Sequence, residues 1–202
     1  MTDTLPLELN HTAFVIMDVQ PSIVGMVTDS DNFVSRIAET RRVAREHGVQ
    51  IAYVRVALTA EDAAQVPDRN LTFSAAAASG RLDDSRAEVQ LDPRIAPADA
   101  EIVVRKARVG AFSTTDLREQ LASAGITTLV LCGISTSGVV LSTVRDAADR
   151  DFRLLVVRDL CFDADPEVHR VLTEKIFPRQ AVVLDAEELH RLIERSAALR
   201  SS

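Results

Sequence analysis

The sequence predicts an α/β fold: three layers, α/β/α, built on a six-stranded parallel sheet within one domain spanning residues 1–202. Three observations predict it. Short apolar runs alternate about six times with longer segments of helical spacing, and right-handed crossovers turn that alternation into a parallel sheet covered on both faces. The runs are continuously apolar rather than alternating, as strands buried on both faces are. The chain of 202 residues, 47% hydrophobic and 26% charged, is long enough for one substantial core, and no repeat or linker divides it.

The elements follow in order. Ala13 to Met17 (AFVIM) is the first strand; it ends at Asp18 and is stopped by Pro21. Asp29 to Gly48 has helical spacing through Phe33, Val34, Ile37, Ala38, Arg41, Val43 and Ala44. Asp29, Ser30 or Asp31 can cap it and Gly48 can close it. Val49 to Val56 is the second strand. Leu58 to Asp99 is the least regular stretch, with Pro67, Pro93, Pro97 and four alanines at 75–78. A connection of that length serves as a lid or binding loop, or as a solvated excursion or subunit contact. Glu101 to Arg105 is the third strand and runs directly into Lys106. Thr114 or Thr115 caps a helix from Asp116 to Ala124, which Gly125 ends.

The fourth strand, Leu129 to Cys132, breaks at Gly133 and passes through Ser135, Thr136, Ser137 and Gly138. A helix then resumes, with Val139, Val140, Thr143, Val144 and Ala147 on one side. Such a strand–turn–helix leaves the first N–H groups of the helix without partners, at the positive end of its dipole. A carboxylate or a developing oxyanion suits that place. Arg153 to Val157 is the fifth strand, Asp165-Pro166 opens the next helix, Ala181 to Leu184 is the sixth strand, and Ala186 to Leu199 is a final amphipathic helix.

Composition narrows the function. A net charge of −7 argues against general nucleic-acid binding and against adsorption to an anionic membrane. No apolar run approaches the ~20 residues of a membrane span, and MTDTLPLELN has neither the basic start nor the apolar stretch of a signal peptide. Two cysteines make no disulfide framework, so a reducing, cytoplasmic setting is expected. GxGxxG, GxxxxGK[ST] and GxSxG are all absent. His11, His47, His169 and His190 are scattered without metal-ligand spacing, and the last three read as surface or partly buried helix positions.

In an open parallel sheet the site lies at the carboxyl ends of the strands, near the reversal of strand order. That edge carries Asp18 with Gln20 beyond it, Lys106, the Gly133–Val139 turn, Asp159 and Cys161. Asp18 follows five apolar residues, so desolvation raises its pKa unless a cation sits nearby, and Lys106 is the candidate cation. A coupled Asp–Lys pair can move protons at neutral pH. The alternative is that Asp18 caps a turn while Lys106 is solvated with Arg105 and Arg108.

Four stretches in this order resemble the isochorismatase-like hydrolases, the cysteine hydrolase superfamily: FVIMDVQ, RKARVGAF, GISTSGVVLSTVRDA and VVRDLC with Asp159. The resemblance runs from about Thr12 to Leu189. It implies a Rossmann-like fold with strand order 3-2-1-4-5-6, a hydrolase acting on a small-molecule substrate without a cofactor, assembly as a homodimer or homotetramer, and a non-proline cis peptide at Ile134–Ser135. Most members use an Asp–Lys–Cys triad. Asp18 and Lys106 match the first two, but the position of the Cys, seventh from Gly133, is Val139 here. Cys132 precedes the turn and reads as a small buried hydrophobe, and Cys161 is placed on the loop after the fifth strand.

The resemblance therefore implies the chemistry of the isochorismatase branch, which also lacks this Cys. An acid protonates a vinyl carbon and water adds to the oxocarbenium ion, with no covalent intermediate. Asp18 would donate the proton, Lys106 would set its protonation state and bind substrate carboxylate, and Gln20 would orient Asp18. Backbone N–H groups near Ser135 and Val139 would hold an anion or a water, with Phe112, Ile134, Thr136 and Gly138 completing the substrate-binding set. Ser135, Thr136 and Ser137 replace the aromatic and histidine residues of isochorismatase proper, so isochorismate itself is not the expected substrate. The metal-binding members carry Asp-x-His after the second strand; ALTAEDAAQ lacks it, so no metal is expected. Two other readings stay open: an amide hydrolase using Ser137, Thr136 or Cys161 as nucleophile, and a non-catalytic ligand-binding or oligomerising relative.

Overall fold

The computed structural model describes residues 5–200. In chain order its elements are β1 (Thr12–Met17), α1 (Pro21–Val24), α2 (Ser30–Glu46), β2 (Gln50–Val56), α3 (Ala60–Ala64), α4 (Leu71–Ser79), β3 (Ile102–Lys106), α5 (Leu117–Ser123), β4 (Thr128–Ile134), α6 (Leu141–Ala148), β5 (Arg153–Phe162), α7 (Pro166–Val171), β6 (Val182–Leu184) and α8 (Ala186–Arg200). The strands form one sheet, all parallel, in the order β3-β2-β1-β4-β5-β6. The expected fold class and strand order are both observed.

β1 and β4 are buried at every position. They are the two central strands, and a strand can be apolar throughout only where helices cover both of its faces. α2 and α8 pack on one another and against β5, and α2 also meets β1 and β2. α5 contacts β3, and α6 contacts β5. The chain steps from β1 to β3 in one direction and from β4 to β6 in the other, so right-handed crossovers send the two sets of helices to opposite faces. The order reverses between β1 and β4.

Register then places the chemistry. Met17 lies beside Val54 on one side and Gly133 on the other, and Val56 lies beside Lys106. Asp18, Lys106 and the turn after Gly133 therefore share the carboxyl edge, around the reversal.

The structure corrects several local expectations. Pro21 does not simply stop β1; it occupies the first turn of α1, where its missing N–H costs nothing. The stretch from Leu58 to Asp99 is more ordered than its composition suggests. The alanine run is the body of α4, capped by Asn70, and Phe73 packs with Val56, Leu58 and Ala107 over the ends of β2 and β3. β5 does not stop at Val157 but runs to Phe162, so Asp159 and Cys161 lie inside the strand rather than on a loop. A register shift against β4 between Leu131 and Gly133 allows that extension. The turn after β4 is a π-helical turn, Thr136–Val140, rather than a simple helix start. Asp165 caps α7 as expected, its carboxylate accepting from Glu167 N and Val168 N.

Candidate active site

Asp18 and Lys106 meet. The Lys106 Nζ donates to Asp18 Oδ2 at 2.8 Å and to the Arg108 carbonyl at 3.2 Å. Asp18 is 5% exposed and Lys106 2%. The backbone of Asp18 is left-handed, with φ 57°, while its N–H still donates to Val54 O at 2.8 Å. That kink turns the residue out of the strand ladder, and Asp tolerates this region better than most residues. The other carboxylate oxygen, Oδ1, is buried and has no hydrogen-bond partner among the described residues.

Burial pushes the Asp18 carboxyl up to about 6, and the charge and hydrogen bond of Lys106 pull the other way without cancelling it. A carboxyl titrating there exchanges its proton readily near neutral pH. It follows that Lys106→Met, which removes the counter-charge but keeps an apolar stem, moves the Asp18 titration to higher pH. Carboxyl-carbon NMR of labelled Asp18 measures this directly. A titration that stays put or falls would show that Lys106 does not set the proton affinity.

The turn beside this pair is built on two glycines. Gly133 has φ +143°, and a Cβ there would stand 2.1 Å from Met17 O. Gly138 lies under Ser135, whose Oγ would be 2.6 Å from an added Cβ. The Ile134–Ser135 peptide is cis, as the resemblance implied. Ile134 and Val139 are both buried, at 2% exposure, in the strand end and the π-helical turn respectively.

Other expected site residues are engaged elsewhere. Gln20 does not orient the Asp18 carboxylate. Its Nε2 donates to Val56 O and Val89 O, and its Oε1 accepts from Val56 N at 2.8 Å, so the buried amide locks the end of β2 to the Ala87–Val89 turn. Phe112 is engaged by other side chains. Its ring stacks on Phe152 at 6.0 Å and lies 5.1 Å from the Arg150 guanidinium carbon, along α6 and toward the amino edge where β5 begins. Asp159 accepts from Ala186 N at 2.9 Å and pairs with Arg36, joining α2, β5 and α8. Thr136 is fully buried, and its hydroxyl is 2.8 Å from His169 Nδ1.

Two residues around the turn escaped the sequence reading. Asp163 Oδ2 accepts from the Ser137 N–H at 2.7 Å, so one donor that looked free for a substrate anion is already taken. His169, on α7, holds Thr136; burial lowers its pKa, opposed by Asp163, which favours the neutral ring. Asp163 stands just past β5, a signal that a strand ending at Val157 conceals and one ending at Phe162 reveals. His169 had no local signal, since its partner is distant in sequence.

Neither thiol is poised to react. Cys132 and Cys161 are free and buried. Burial pushes Cys161 up to about 12 against the pull of a hydrogen bond from the Gly133 backbone, and it raises Cys132 well above the usual range. Among the described residues, no group of three or more His, Cys, Asp or Glu side chains is placed to hold a metal ion, and no helix is long and apolar enough to cross a membrane.

The same architecture and sequence pattern recur in known proteins. Residues 12–188 match the isochorismatase domain model. The isochorismatase family protein YecD of Escherichia coli O157:H7 is 34% identical over 91% of this chain and 97% of its own length. N-carbamoylsarcosine amidase from an Arthrobacter species is 37% identical over 73% of this chain and 54% of its own. Phenazine biosynthesis protein PhzD1 of Pseudomonas aeruginosa is 29% identical over 91% and 86%. A cysteine hydrolase structure from Pseudomonas syringae pv. phaseolicola 1448A superposes with a TM-score of 0.84 over 97% of this chain and all of its own, at 21% identity, and so shares the fold. With its strand order, its turn after β4 and its match over residues 12–188, the chain belongs to the isochorismatase family of hydrolases.

Proposed function

We propose that this hydrolase works without a thiol, using Asp18, Lys106 and water on a small organic acid, ether or related metabolite. The observation that carries the reading is the buried Asp18–Lys106 pair, 2.8 Å apart, with an Asp18 Oδ1 that has no partner among the described residues. Valine at position 139, where the family's nucleophile belongs, supports it. In this reaction the Asp18 carboxyl gives its proton to the vinyl carbon of an enol ether. Water adds to the resulting oxocarbenium carbon, the hemiketal collapses to a carbonyl and an alcohol, and the surplus proton returns to Asp18. Lys106 holds the carboxylate between turnovers. The acid is active when protonated, so kcat/KM falls as pH rises through about 6.

The amide-hydrolase alternative draws on the likeness to N-carbamoylsarcosine amidase. It needs a nucleophile, and the residues offer poor ones. Cys161 holds its proton to about 12, and the Thr136 hydroxyl is fully buried against His169. Ser137 is exposed, with its backbone held by Asp163.

Iodoacetamide treatment of the folded protein is therefore expected to leave turnover unchanged. Loss of turnover in step with labelling of Cys161 would move the reaction to thiol chemistry. A panel of enol ethers, amides and esters finds the substrate class, and no turnover across all three would favour a binding or oligomerising relative. The same reading includes a cytoplasmic homodimer or homotetramer. Its α3–α4 segment would be lid or subunit contact, supported by the exposure of Leu71 at 83%. Sedimentation of the purified chain tests the assembly.

A further inference from the structure

At the carboxyl edge stands a half-buried cation, Arg108, that lacks a counter-charge among the described residues. Arg55 and Arg105 are claimed by Asp84 and Asp62. Lys106 is claimed by Asp18. Arg108 is half-buried, yet among the described residues no carboxylate lies within ion-pair distance of it.

Its pose is nonetheless held. The carbonyl of Arg108 accepts from Lys106 Nζ at 3.2 Å, so its backbone forms part of the wall around the pair. The guanidinium carbon stands 5.4 Å from the centroid of the Phe73 ring, and Phe73 is anchored among Val56, Leu58 and Ala107. Nη1 donates to Ala107 O at 2.5 Å. One face of the guanidinium is thus stacked and one nitrogen tied, while Nε and Nη2 have no acceptor among the described residues. A planar fork of N–H donors fixed in this way matches a carboxylate bidentately, and its ordering cost is already met. A cation–π contact at a partly exposed site is weak and does not replace a counter-charge.

We propose that Arg108 is the specificity-determining residue for a carboxylate carried by the substrate of the Asp18–Lys106 site. This rests on that pair being the reactive centre. The carboxylate binds the Nε–Nη2 edge, which orients the rest of the molecule toward the pair. α4, through Phe73, serves as the support that aims the fork.

The test uses matched fragments: malonate, succinate and benzoate against malonamide, succinamide and benzamide, followed by saturation-transfer NMR and by the 15N shift of Arg108 Nε. At least one carboxylate is expected to bind and shift Arg108 Nε, while its amide does not. Arg108→Met should weaken that carboxylate about 10- to 100-fold, the range for hydrogen bonds to a charged group, and leave amide binding unchanged. Arg108→Lys, with the charge but no fork, should fall between. A general packing role for Arg108 would affect acid and amide alike. The inference is overturned if carboxylates bind Arg108→Met as they bind wild type, if they bind no better than amides, or if none binds at about 10 mM. The outcomes also separate this claim from the proposed reaction. Turnover surviving in Asp18→Asn would remove the reaction yet leave Arg108-dependent carboxylate binding standing, and the reverse result would remove only Arg108.

Discussion

Asp18→Asn is expected to lower turnover by about 10²- to 10⁴-fold, the usual contribution of a positioned general acid, while ligand binding stays measurable. Asparagine keeps the shape of the side chain and an oxygen for Lys106 Nζ, which now donates to Asp18 Oδ2 at 2.8 Å. It cannot release a proton. The measurement is kcat at several pH values, with melting curves recorded on the same samples so that loss of fold is not mistaken for loss of chemistry. Unchanged turnover would eliminate Asp18 as the acid. A second signature accompanies the first. The folded carboxyl titrates near 6, above the usual 3.8, so the folded chain binds this proton more tightly than the unfolded chain does. Its stabilising contribution is present below 3.8 and is lost as pH rises through about 6. The Asn variant should lack that slope in its stability–pH curve.

Gly133→Ala is expected to destabilise the fold by about 4 kcal/mol or more, in the range reserved for changes that force backbone out of place. The added Cβ would sit 2.1 Å from Met17 O and 2.9 Å from Met17 Cβ, and the residue already has φ +143°. Met17 is the register partner of Gly133 on the adjacent central strand, so the clash cannot be relieved by rotating a side chain. Either β1 or β4 must move, and Asp18 follows Met17 directly. Equilibrium urea unfolding measures the loss, and the Asp18 carboxyl titration in the surviving folded fraction reports the displacement. A loss below about 1 kcal/mol would mean that the two strands separate more easily than their burial implies.

Much of this was legible because the signals are local. AFVIM and LVLC are continuous apolar runs, as strands covered on both faces are, and β1 and β4 are buried throughout. Asp18 and Lys106 stood out as charged residues at the ends of such runs, where desolvation raises the value of a partner. Errors arose where the deciding contact is distant in sequence. Gln20 sits next to the acid in the chain, but its amide is consumed by Val56 and Val89. Phe112 carries the family pattern, but Phe152 and Arg150 take its ring. The run of alanines in α4 has no amphipathic period to read, and it is held by Phe73 packing on strand ends that the local sequence does not mention.

From its residues alone this chain determined its layers, and its likeness to the family supplied the strand order and the pairing of Asp18 with Lys106. Apolar periodicity and charge at strand ends are properties of neighbours along the chain and need no coordinates. Only the folded molecule decided which polar groups are spent and which remain free. Asp163 occupies the Ser137 N–H, His169 occupies Thr136, Asp84 and Asp62 occupy Arg55 and Arg105, and the Arg108 fork is left over. The reason is that a hydrogen bond or ion pair is settled by distances of about 3 Å between segments far apart in sequence, and one-dimensional spacing carries no record of those distances.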